Sequence, residues 1–405
     1  MDYWLPIIVL FGAFFFMLAL GVPIVYAIGL STLASISTQL DFNSALSVVS
    51  QKLASGLDSF TLLAIPFFIL SGNIMNHGGI ARRLINFARI LGGRLPGSLA
   101  HCNILANMLF GAISGSAVAS AAAMGGVMHP QQVKEGYDPA FSTAVNVASA
   151  PTGYVPGILL GLALMVIAGI IAVRRGYPKP ERPTLRQAGV AIWMAIPSIF
   201  LIILIMGGVL SGIFTPTEAS AIAVIYTLFL ALVLYREISV KDLPKIFLES
   251  VITTAIVLLL IGSSMGMSWA MSNADVPFLI LDLLNTISDN PIIILLIINI
   301  ILLIIGTFMD MTPAVLIFTP IFLPVVTELG MDPIHFGIVM VLNMCIGICT
   351  PPVGSVLFVG CSVSKLPINK IIKPMLPFYA VMVLVLAMVT YIPQISMALP
   401  RALGY

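Results

Sequence analysis

Apolar stretches long enough to cross a lipid bilayer recur from one end of this 405-residue chain to the other. A hydrocarbon core about 30 Å thick is crossed by a helix of about 20 mostly apolar residues. Charged residues make up only 8% of the sequence, whereas a soluble domain carries about 25% to cover its surface. The surface must therefore face lipid. This excludes a single soluble domain and predicts an all-α, polytopic membrane protein.

The apolar stretches fall into two similar halves, residues 1–186 and 187–405. Each half is predicted to begin with scaffold helices, within residues 5–58 and 190–249. Each half then contains a long apolar stretch interrupted by small polar residues, at 95–133 and 291–327, which predicts a pair of short helices. Further spans are predicted at residues 60–75, 139–153, 154–173, 250–271, 334–360 and 375–392.

Lys and Arg residues cluster in four connections, at residues 82–94, 174–186, 236–245 and 365–373. Short cytoplasmic loops collect basic residues, so all four connections are predicted to face the cytoplasm. Residues 272–290 carry three aspartates and no base, as expected of an outside loop. This topology places the N-terminus and the C-terminus both outside.

An internal repeat supports this topology. The pattern Pro-x5-Gly-x-Asp-Pro occurs at residues 130–139 and again at residues 324–333, a constant shift of 194. The charge pattern places the first Asp-Pro pair in the cytoplasm and the second outside. The two halves are therefore predicted to insert upside down relative to each other. Inverted repeats are typical of secondary transporters, which bind solute near the membrane midplane between the halves.

The small-residue interruptions are candidate binding sites. The first contains Ser114, Gly115 and Ser116, and the second contains Thr307 and Thr312. Non-helical backbone at membrane depth is tolerated only where it is buried in protein or lines a wet cavity. Two such breaks in matching positions predict two re-entrant hairpins whose tips meet at a site for an anion and a small cation. The alternative is close helix packing by small residues.

Asp310 strengthens the second candidate, because it is the only charged residue between Pro291 and Thr327. An acid at membrane depth is costly unless it is compensated, so it usually marks an ion or proton site. Na⁺ prefers hard oxygen ligands, which Asp310, Thr307, Thr312 and the backbone could offer. The alternative role for Asp310 is to cap a hairpin helix.

Each half also contains a helix broken at proline. The first break has Asn146, Ser149 and Thr152 around Pro151, and the second has Thr350 and Gly354 around Pro351. Proline removes a backbone donor and frees upstream carbonyls, which could complete an ion cage, although a simple kink is the alternative. The predicted ion ligands are Ser114, Asn146, Ser149, Thr307, Asp310, Thr312, Thr350 and Gly354. The predicted solute contacts are Ser114, Gly115, Ser116, Thr152, Thr312 and Pro351.

The residues at 110–116, 146–153 and 309–313, together with the order of segments, resemble the large membrane subunit of tripartite ATP-independent periplasmic (TRAP) transporters. The resemblance covers essentially the whole chain and is greatest for the sialic-acid branch, with C4-dicarboxylate members close. It implies an elevator-type ion-transporter fold in the bacterial inner membrane with Na⁺ as the coupling ion, so the outside termini predicted from the charge pattern would be periplasmic. The implied partners are a small four-helix membrane subunit, membrane lipid and a periplasmic solute-binding protein that delivers a small anionic solute.

One departure from the family lies after Gly153, where the chain continues directly into the next span. Members of the family have a further half-helix there, and the second half of this chain keeps its counterpart at residues 352–372. Residues 139 and 174 should both be cytoplasmic, yet the roughly 35 residues between them scarcely allow two crossings of about 20 residues each. We therefore expect a shortened form or an absent segment, and an altered first ion site.

The function expected from the sequence is Na⁺-coupled import of an organic acid, with sialic acid (N-acetylneuraminate) as the first candidate and a C4-dicarboxylate as the alternative. A passive channel is a further alternative, although inverted broken helices favour a carrier. An intramembrane protease would need a nucleophile paired with a base, and neither a Ser–His pairing nor an H-E-x-x-H motif is present. We therefore expect neither an enzyme nor a nucleic-acid partner.

Overall fold

The computed structural model of the chain describes residues 4–92, 95–152, 155–177, 184–288, 290–309, 311–351 and 354–402. Regular structure within these ranges is entirely helical, which confirms the all-α prediction. The helices of the first half are α1 Trp4–Ala19, α2 Ile24–Ile36, α3 Phe42–Leu57, α4 Ala64–His77, α5 Ile80–Gly92, α6 Ser98–Ser114, α7 Ala117–Lys134, α8 Pro139–Ser149 and α9 Val155–Arg175.

The helices of the second half are α10 Leu185–Leu210, α11 Pro216–Leu228, α12 Leu243–Asn273, α13 Val276–Ile287, α14 Pro291–Phe308, α15 Met311–Glu328, α16 Pro333–Gly347, α17 Ser355–Ser364, α18 Ile368–Tyr391 and α19 Pro393–Ala402. A 3-10 turn, Phe60–Leu63, precedes α4, and a π-helical segment, Phe229–Leu234, extends α11.

Six of the described helices are long and apolar enough to cross a membrane, namely α9, α10, α11 with its extension, α12, α15 and α18. Their outward side chains are large and apolar. Trp193 on α10 is 76% exposed, and Val166 on α9 is 64% exposed. Soluble proteins rarely expose apolar faces of this extent, so these faces suit lipid or another membrane helix.

Two stretches differ from the sequence prediction. The predicted span at 250–271 is part of α12, a helix of 31 residues that begins within the preceding polar stretch. The predicted outside loop at 272–290 contains α13, which packs against α15. The loop prediction rested on charge, but only Asp282 lies on α13, where it is exposed and leaves the apolar side of the helix free to pack.

The internal repeat predicted from the proline pattern is present in the helices. The bounds of α7 and α15 differ by 194 residues at both ends, and the first residues of α8 and α16 differ by the same number. Asp138 and Asp332 cap the helices that follow them, accepting hydrogen bonds from the backbone N–H groups of Phe141 and Ile334, both at 2.8 Å. The shared pattern therefore encodes the end of a hairpin and the start of a broken helix in each half.

Contacts between distant loops agree with the predicted sidedness. The Arg83 guanidinium lies 3.4 Å from the Glu237 carboxylate, which joins two of the basic connections. The Asn273 side chain donates to the side-chain oxygen of Gln39 at 2.8 Å, which joins the start of the predicted outside stretch at 272–290 to the connection between α2 and α3.

The long helix α18 shows that the two halves are inverted. It has 24 residues and is about 36 Å long. Asp138, at the start of α8, lines the same groove as Lys370 and Lys373 in the first turns of α18. His335, at the start of α16, lies at the other end of α18, with its Nε2 3.2 Å from the Thr390 carbonyl oxygen. Equivalent helices of the two repeats therefore start from opposite ends of α18.

In the first repeat the end of α9 lies beside the start of α8, whereas in the second repeat α16 and α17 continue from one end of α18 to the other. The ring of Tyr177, just after α9, stacks on Tyr137, just before α8, with centroids 4.4 Å apart. An Arg175 nitrogen also lies 3.7 Å from the Asp138 carboxylate. Residues 139–175 thus enter and leave at the same end, and α8 is only 11 residues long, about 16 Å. This short hairpin explains how about 35 residues join two points on one side of the membrane.

The inverted repeat predicts opposite accessibility for two matched positions. Lys134 and Glu328 are the exposed last residues of α7 and α15, 194 residues apart. In intact cells, an impermeant thiol reagent should label Glu328→Cys from the periplasm, whereas Lys134→Cys should react only in inside-out vesicles. The unaltered protein is the control, because Cys102, Cys345 and Cys349 are buried and Cys361 is partly buried. Labelling of both variants from the same side would contradict the inversion.

Candidate functional site

The pair α14–α15 is a helical hairpin, called hairpin 2 below, and its tip meets the break between α16 and α17. The Gly354 backbone N–H, just before α17, donates to the Thr307 carbonyl oxygen in the last turn of α14 at 3.1 Å. Asp310, at the tip of the hairpin, lies outside the described residues. The structure thus brings the predicted ligands Thr307 and Gly354 into direct contact, and their role in ion binding remains a prediction.

The helices α14 and α16 approach closely because each has a glycine, Gly306 or Gly347, at the point of contact. A Cβ added to Gly347 would lie 2.5 Å from the Gly306 Cα, far inside normal contact distance. Gly347 ends α16, and Gly306 lies in the last turn of α14. Small residues allow helix backbones to touch in membranes, so this crossing holds the tip of hairpin 2 against the break.

The hydroxyl groups at this crossing are oriented by their own helices. The Thr307 hydroxyl donates to the Ile304 carbonyl at 2.7 Å, and the Thr350 hydroxyl donates to the Ile346 carbonyl at 2.8 Å. A hydroxyl that donates its proton to the backbone keeps oxygen lone pairs for another donor or a cation. Thr312, in the first turn of α15, and Pro351, beside Thr350, are both partly buried.

The pair α6–α7, hairpin 1 below, has its tip at residues 114–116. Gly115 adopts a left-handed conformation with φ of 61° and is exposed, with open space where a side chain would project. Ser116 caps α7, its hydroxyl oxygen accepting from the Ala119 N–H at 3.2 Å. The Ser114 hydroxyl oxygen lies 3.4 Å from the Ser116 N–H. The exposed Gly115 therefore lies between two partly buried serines, and the role of all three as solute contacts remains a prediction.

Below this tip, the predicted ion ligands Asn146 and Ser149 take part in a buried polar cluster. The Asn107 side-chain nitrogen donates to the Ser149 hydroxyl at 2.8 Å and to the Asn146 side-chain oxygen at 3.2 Å. Ser120 donates to the Asn107 side-chain oxygen at 2.6 Å. Asn146 itself donates to the Ala121 carbonyl at 2.8 Å, so the cluster ties α8 to both arms of hairpin 1.

Sequence reasoning missed Asn107 and Ser120, although asparagine at positions 103 and 107 of an apolar helix was an available signal. Thr152 is buried, and its hydroxyl donates to the Ser149 carbonyl at 2.5 Å, which stabilises the end of α8. The hydrogen bonds of Asn146, Ser149 and Thr152 account for these side chains as structural groups, and their role as ion or solute ligands remains a prediction.

A second buried polar chain links hairpin 2 to α16 and α18. The Asn343 side-chain nitrogen donates to the Asn299 oxygen at 2.5 Å, and Asn299 donates to the Thr390 hydroxyl at 3.2 Å. The Asn343 side-chain oxygen is buried and has no hydrogen-bond partner among the described residues. A buried acceptor without a partner costs about 1–3 kcal/mol, so this oxygen is a candidate for an additional ligand.

The two hairpin tips are linked through the broken helices. In the described part of the chain, hairpin 1 packs against α8 and α17, and hairpin 2 packs against α16. The broken helices themselves touch where the Cys349 sulfur lies 3.3 Å from the Val147 carbonyl oxygen. The predicted residues therefore form two groups, one around each break, that are joined at Cys349 and Val147.

A transition-metal centre is not seen in the ranges that the structure describes, because no three His, Cys, Asp or Glu side chains come together there. The polar groups near the breaks are hydroxyls, amides and backbone carbonyls. Such oxygen donors are typical ligands of hard cations.

Three curated relatives match nearly the full length of the chain. The chain is 60% identical over 427 positions to "Uncharacterized protein YgiK" of Salmonella typhimurium, covering 98% of both sequences. It is 40% identical to the C4-dicarboxylate TRAP transporter large permease protein DctM of Pseudomonas aeruginosa, covering 87% of this chain and 89% of the relative. It is 35% identical to the sialic acid TRAP transporter large permease protein SiaM of Vibrio cholerae, covering 95% and 96%.

A solved structure shares the fold. The YdaH transporter of Alcanivorax borkumensis superimposes with a TM-score of 0.59 over 89% of this chain and 90% of its own, at 14% identity. The likeness at this level of identity concerns the architecture alone, and it confirms a membrane-transporter fold.

The relatives also bear on the junction between α8 and α9. The Salmonella relative is aligned over 427 positions, whereas 98% of this chain is only about 397 residues, so about 30 positions have no residue here. The family model for the tripartite ATP-independent periplasmic transporter, DctM component, matches in two pieces, residues 11–155 and 151–395, which meet at this junction. The chain therefore belongs to the TRAP transporter DctM family, the large membrane permease subunit.

Proposed function

We propose that this chain is the transport subunit of a Na⁺-coupled importer for a small organic acid. The observation that carries the proposal is the crossing of hairpin 2 with the break between α16 and α17, where the Thr307 carbonyl meets the Gly354 N–H at 3.1 Å. Backbone polar groups concentrated at half depth between inverted repeats are characteristic of solute and ion sites in secondary transporters.

A bound cation is proposed because the solute is an anion whose charge must be balanced inside the membrane. The predicted spans contain no Lys or Arg, so a carboxylate at the midplane needs another source of positive charge. Helix N-termini supply about half a charge each, and bound Na⁺ would supply the rest. The Thr307 and Thr350 hydroxyls, the buried Asn343 oxygen and Asp310 are the oxygen ligands that we propose for it.

The first repeat is proposed to contribute differently. Its Asn146 and Ser149 side chains are joined to Asn107, and the end of α9 lies beside the start of α8 instead of on the opposite side. We therefore place the main ion site in the second repeat. Ser114, Gly115 and Ser116 are proposed as solute contacts of the first.

The relatives support two solute classes. One relative is named for C4-dicarboxylates and another for sialic acid, and both names describe carboxylate-bearing solutes. An organic acid is therefore the proposed class, with sialic acid and a C4-dicarboxylate as the two candidates. The tripartite family description supports a small membrane subunit and a periplasmic binding protein as partners, and the bacterial inner membrane as the location.

The proposed movement is of elevator type. Residues 5–58 and 190–249 would form the scaffold, and the hairpins with the broken helices would carry the solute. The large lipid-facing surface of α10, including Trp193 at 76% exposure, would suit the scaffold's contact with lipid or the small subunit.

Uptake measurements test the proposed function. Proteoliposomes containing this chain, its small subunit and its binding protein should accumulate either sialic acid or a C4-dicarboxylate when an inward Na⁺ gradient is applied. Uptake should saturate with solute and stop when the Na⁺ gradient is abolished. Equal, non-saturating entry with and without Na⁺ would favour a channel and contradict the proposal.

The glycine crossing yields a prediction with a control on the same helix. Gly347→Ala would place a methyl group 2.5 Å from the Gly306 backbone, so hairpin 2 must shift and uptake should fall by at least tenfold. Gly337→Ala, also on α16, has open space around its new Cβ, and alanine is favoured over glycine in a helix by up to about 1 kcal/mol. The control should keep normal uptake, and normal uptake by Gly347→Ala would remove the crossing from the transport site.

The charge of Asp310 yields a second prediction at this site. Asp310→Asn keeps the size of the side chain and removes its charge, so the Na⁺ concentration for half-maximal uptake should rise by roughly tenfold, equivalent to about 1.4 kcal/mol. Saturating Na⁺ should partly restore uptake. Asp282→Asn, on α13, is the matched control and should leave the Na⁺ dependence unchanged. An unchanged Na⁺ dependence in a correctly folded Asp310→Asn protein would assign Asp310 a capping role.

A further inference from the structure

A basic groove lies far from the hairpin tips, at the end of the molecule where α8 begins and α9 ends. It has a volume of about 710 Å³. Its walls come from the starts of α8 and α18 and the end of α9, so both repeats contribute. The charge pattern places this end at the cytoplasmic face, because it carries two of the four basic connections.

The charges of the groove are unbalanced. Arg174, Arg175, Lys370 and Lys373 line it, whereas Asp138 is the one acidic residue among its described lining residues. Asp138 is already paired, since an Arg175 nitrogen lies 3.7 Å from its carboxylate. The other three cations are left to act on the groove, which therefore attracts anions.

The groove also has an apolar wall. Ala140, Phe141 and Ile171 line it beside the cations. Phe141 is buried and lies 5.7 Å from the Arg175 guanidinium, which helps to hold that charge at the edge of the apolar surface. A free anion in water would need no apolar wall, whereas a lipid presents its phosphate directly beside its hydrocarbon chains.

We propose that this groove binds the headgroup of an anionic phospholipid from the cytoplasmic leaflet. Basic pockets between transmembrane helices on the cytoplasmic side are well suited to such headgroups, and each nearby Lys or Arg contributes attraction. The lipid would join α8, α9 and α18 at their ends. Because the groove includes residues of both repeats, the bound lipid would stabilise the packing of the short α8–α9 hairpin against α18.

The test uses the purified full chain in neutral detergent, with phosphatidylglycerol as the probe and phosphatidylcholine as the neutral comparison. Native mass spectrometry should show tightly retained phosphatidylglycerol and little phosphatidylcholine. Removing both charges in Lys370→Gln with Lys373→Gln should weaken retention by roughly fivefold for each lysine. The charge-conserving pair Lys370→Arg with Lys373→Arg should retain the lipid, which separates loss of charge from loss of folding.

A second pair of lysines is the matched control. Lys241 and Lys245 are exposed in another basic connection and do not line the groove. Lys241→Gln with Lys245→Gln should leave phosphatidylglycerol retention unchanged. An equal loss in both pairs would mean diffuse surface attraction and would overturn the proposal. Inorganic phosphate that displaces the lipid at micromolar concentration, or equal retention of both lipids, would overturn it as well.

Discussion

The structure depends on the need to satisfy backbone hydrogen bonds wherever a helix is broken inside the membrane. An unpaired backbone group in hydrocarbon costs several kcal/mol, so each break must be covered by protein. The break after α16 is covered on two sides. The Gly354 N–H bonds to the Thr307 carbonyl of hairpin 2, and the Tyr379 hydroxyl of α18 donates to the Cys349 carbonyl at 2.6 Å. The positions of hairpin 2 and α18 follow from covering this one segment.

Such coverage requires backbones to approach closely, which explains where glycine is needed. Gly306 and Gly347 allow the backbones of α14 and α16 to touch, and Gly360 leaves room on α17 for the Val147 side chain of α8, since a Cβ there would lie 2.3 Å from the Val147 Cγ2. Between apolar helices in lipid, packing of this kind replaces the hydrophobic driving force of a soluble core. A site built from backbone groups therefore needs glycines where its helices meet, because only close helix contact holds those backbone groups in place.

The architecture could be predicted from the sequence because apolar length, basic clusters and the repeated proline pattern each indicate where membrane helices begin and end. The Pro-x5-Gly-x-Asp-Pro pattern marks matching helix ends, and Asp138 and Asp332 both proved to be helix caps. The partners of Asn146 and Ser149 could not be predicted. Helix α8 is buried around almost its whole circumference, so it has no apolar stripe to fix which face meets which neighbour. Its bond to Asn107, 39 residues away, depends on how three helices pack.

The first repeat, like the second, contains two helix ends that follow each other closely in the chain. In the second repeat α16 ends and α17 begins at the break, so a negative and a positive helix end face each other there. In the first repeat α8 ends at Ser149 and α9 begins six residues later, at Val155, which gives the same pair of ends although the end of α9 lies beside the start of α8. The helices α8 and α9 therefore do not cross the membrane together, but their two ends still supply the partial charges of a broken helix. An electrostatic attraction for anions at this break would therefore need only the two helix ends, whereas passage of the chain across the membrane would need a further segment.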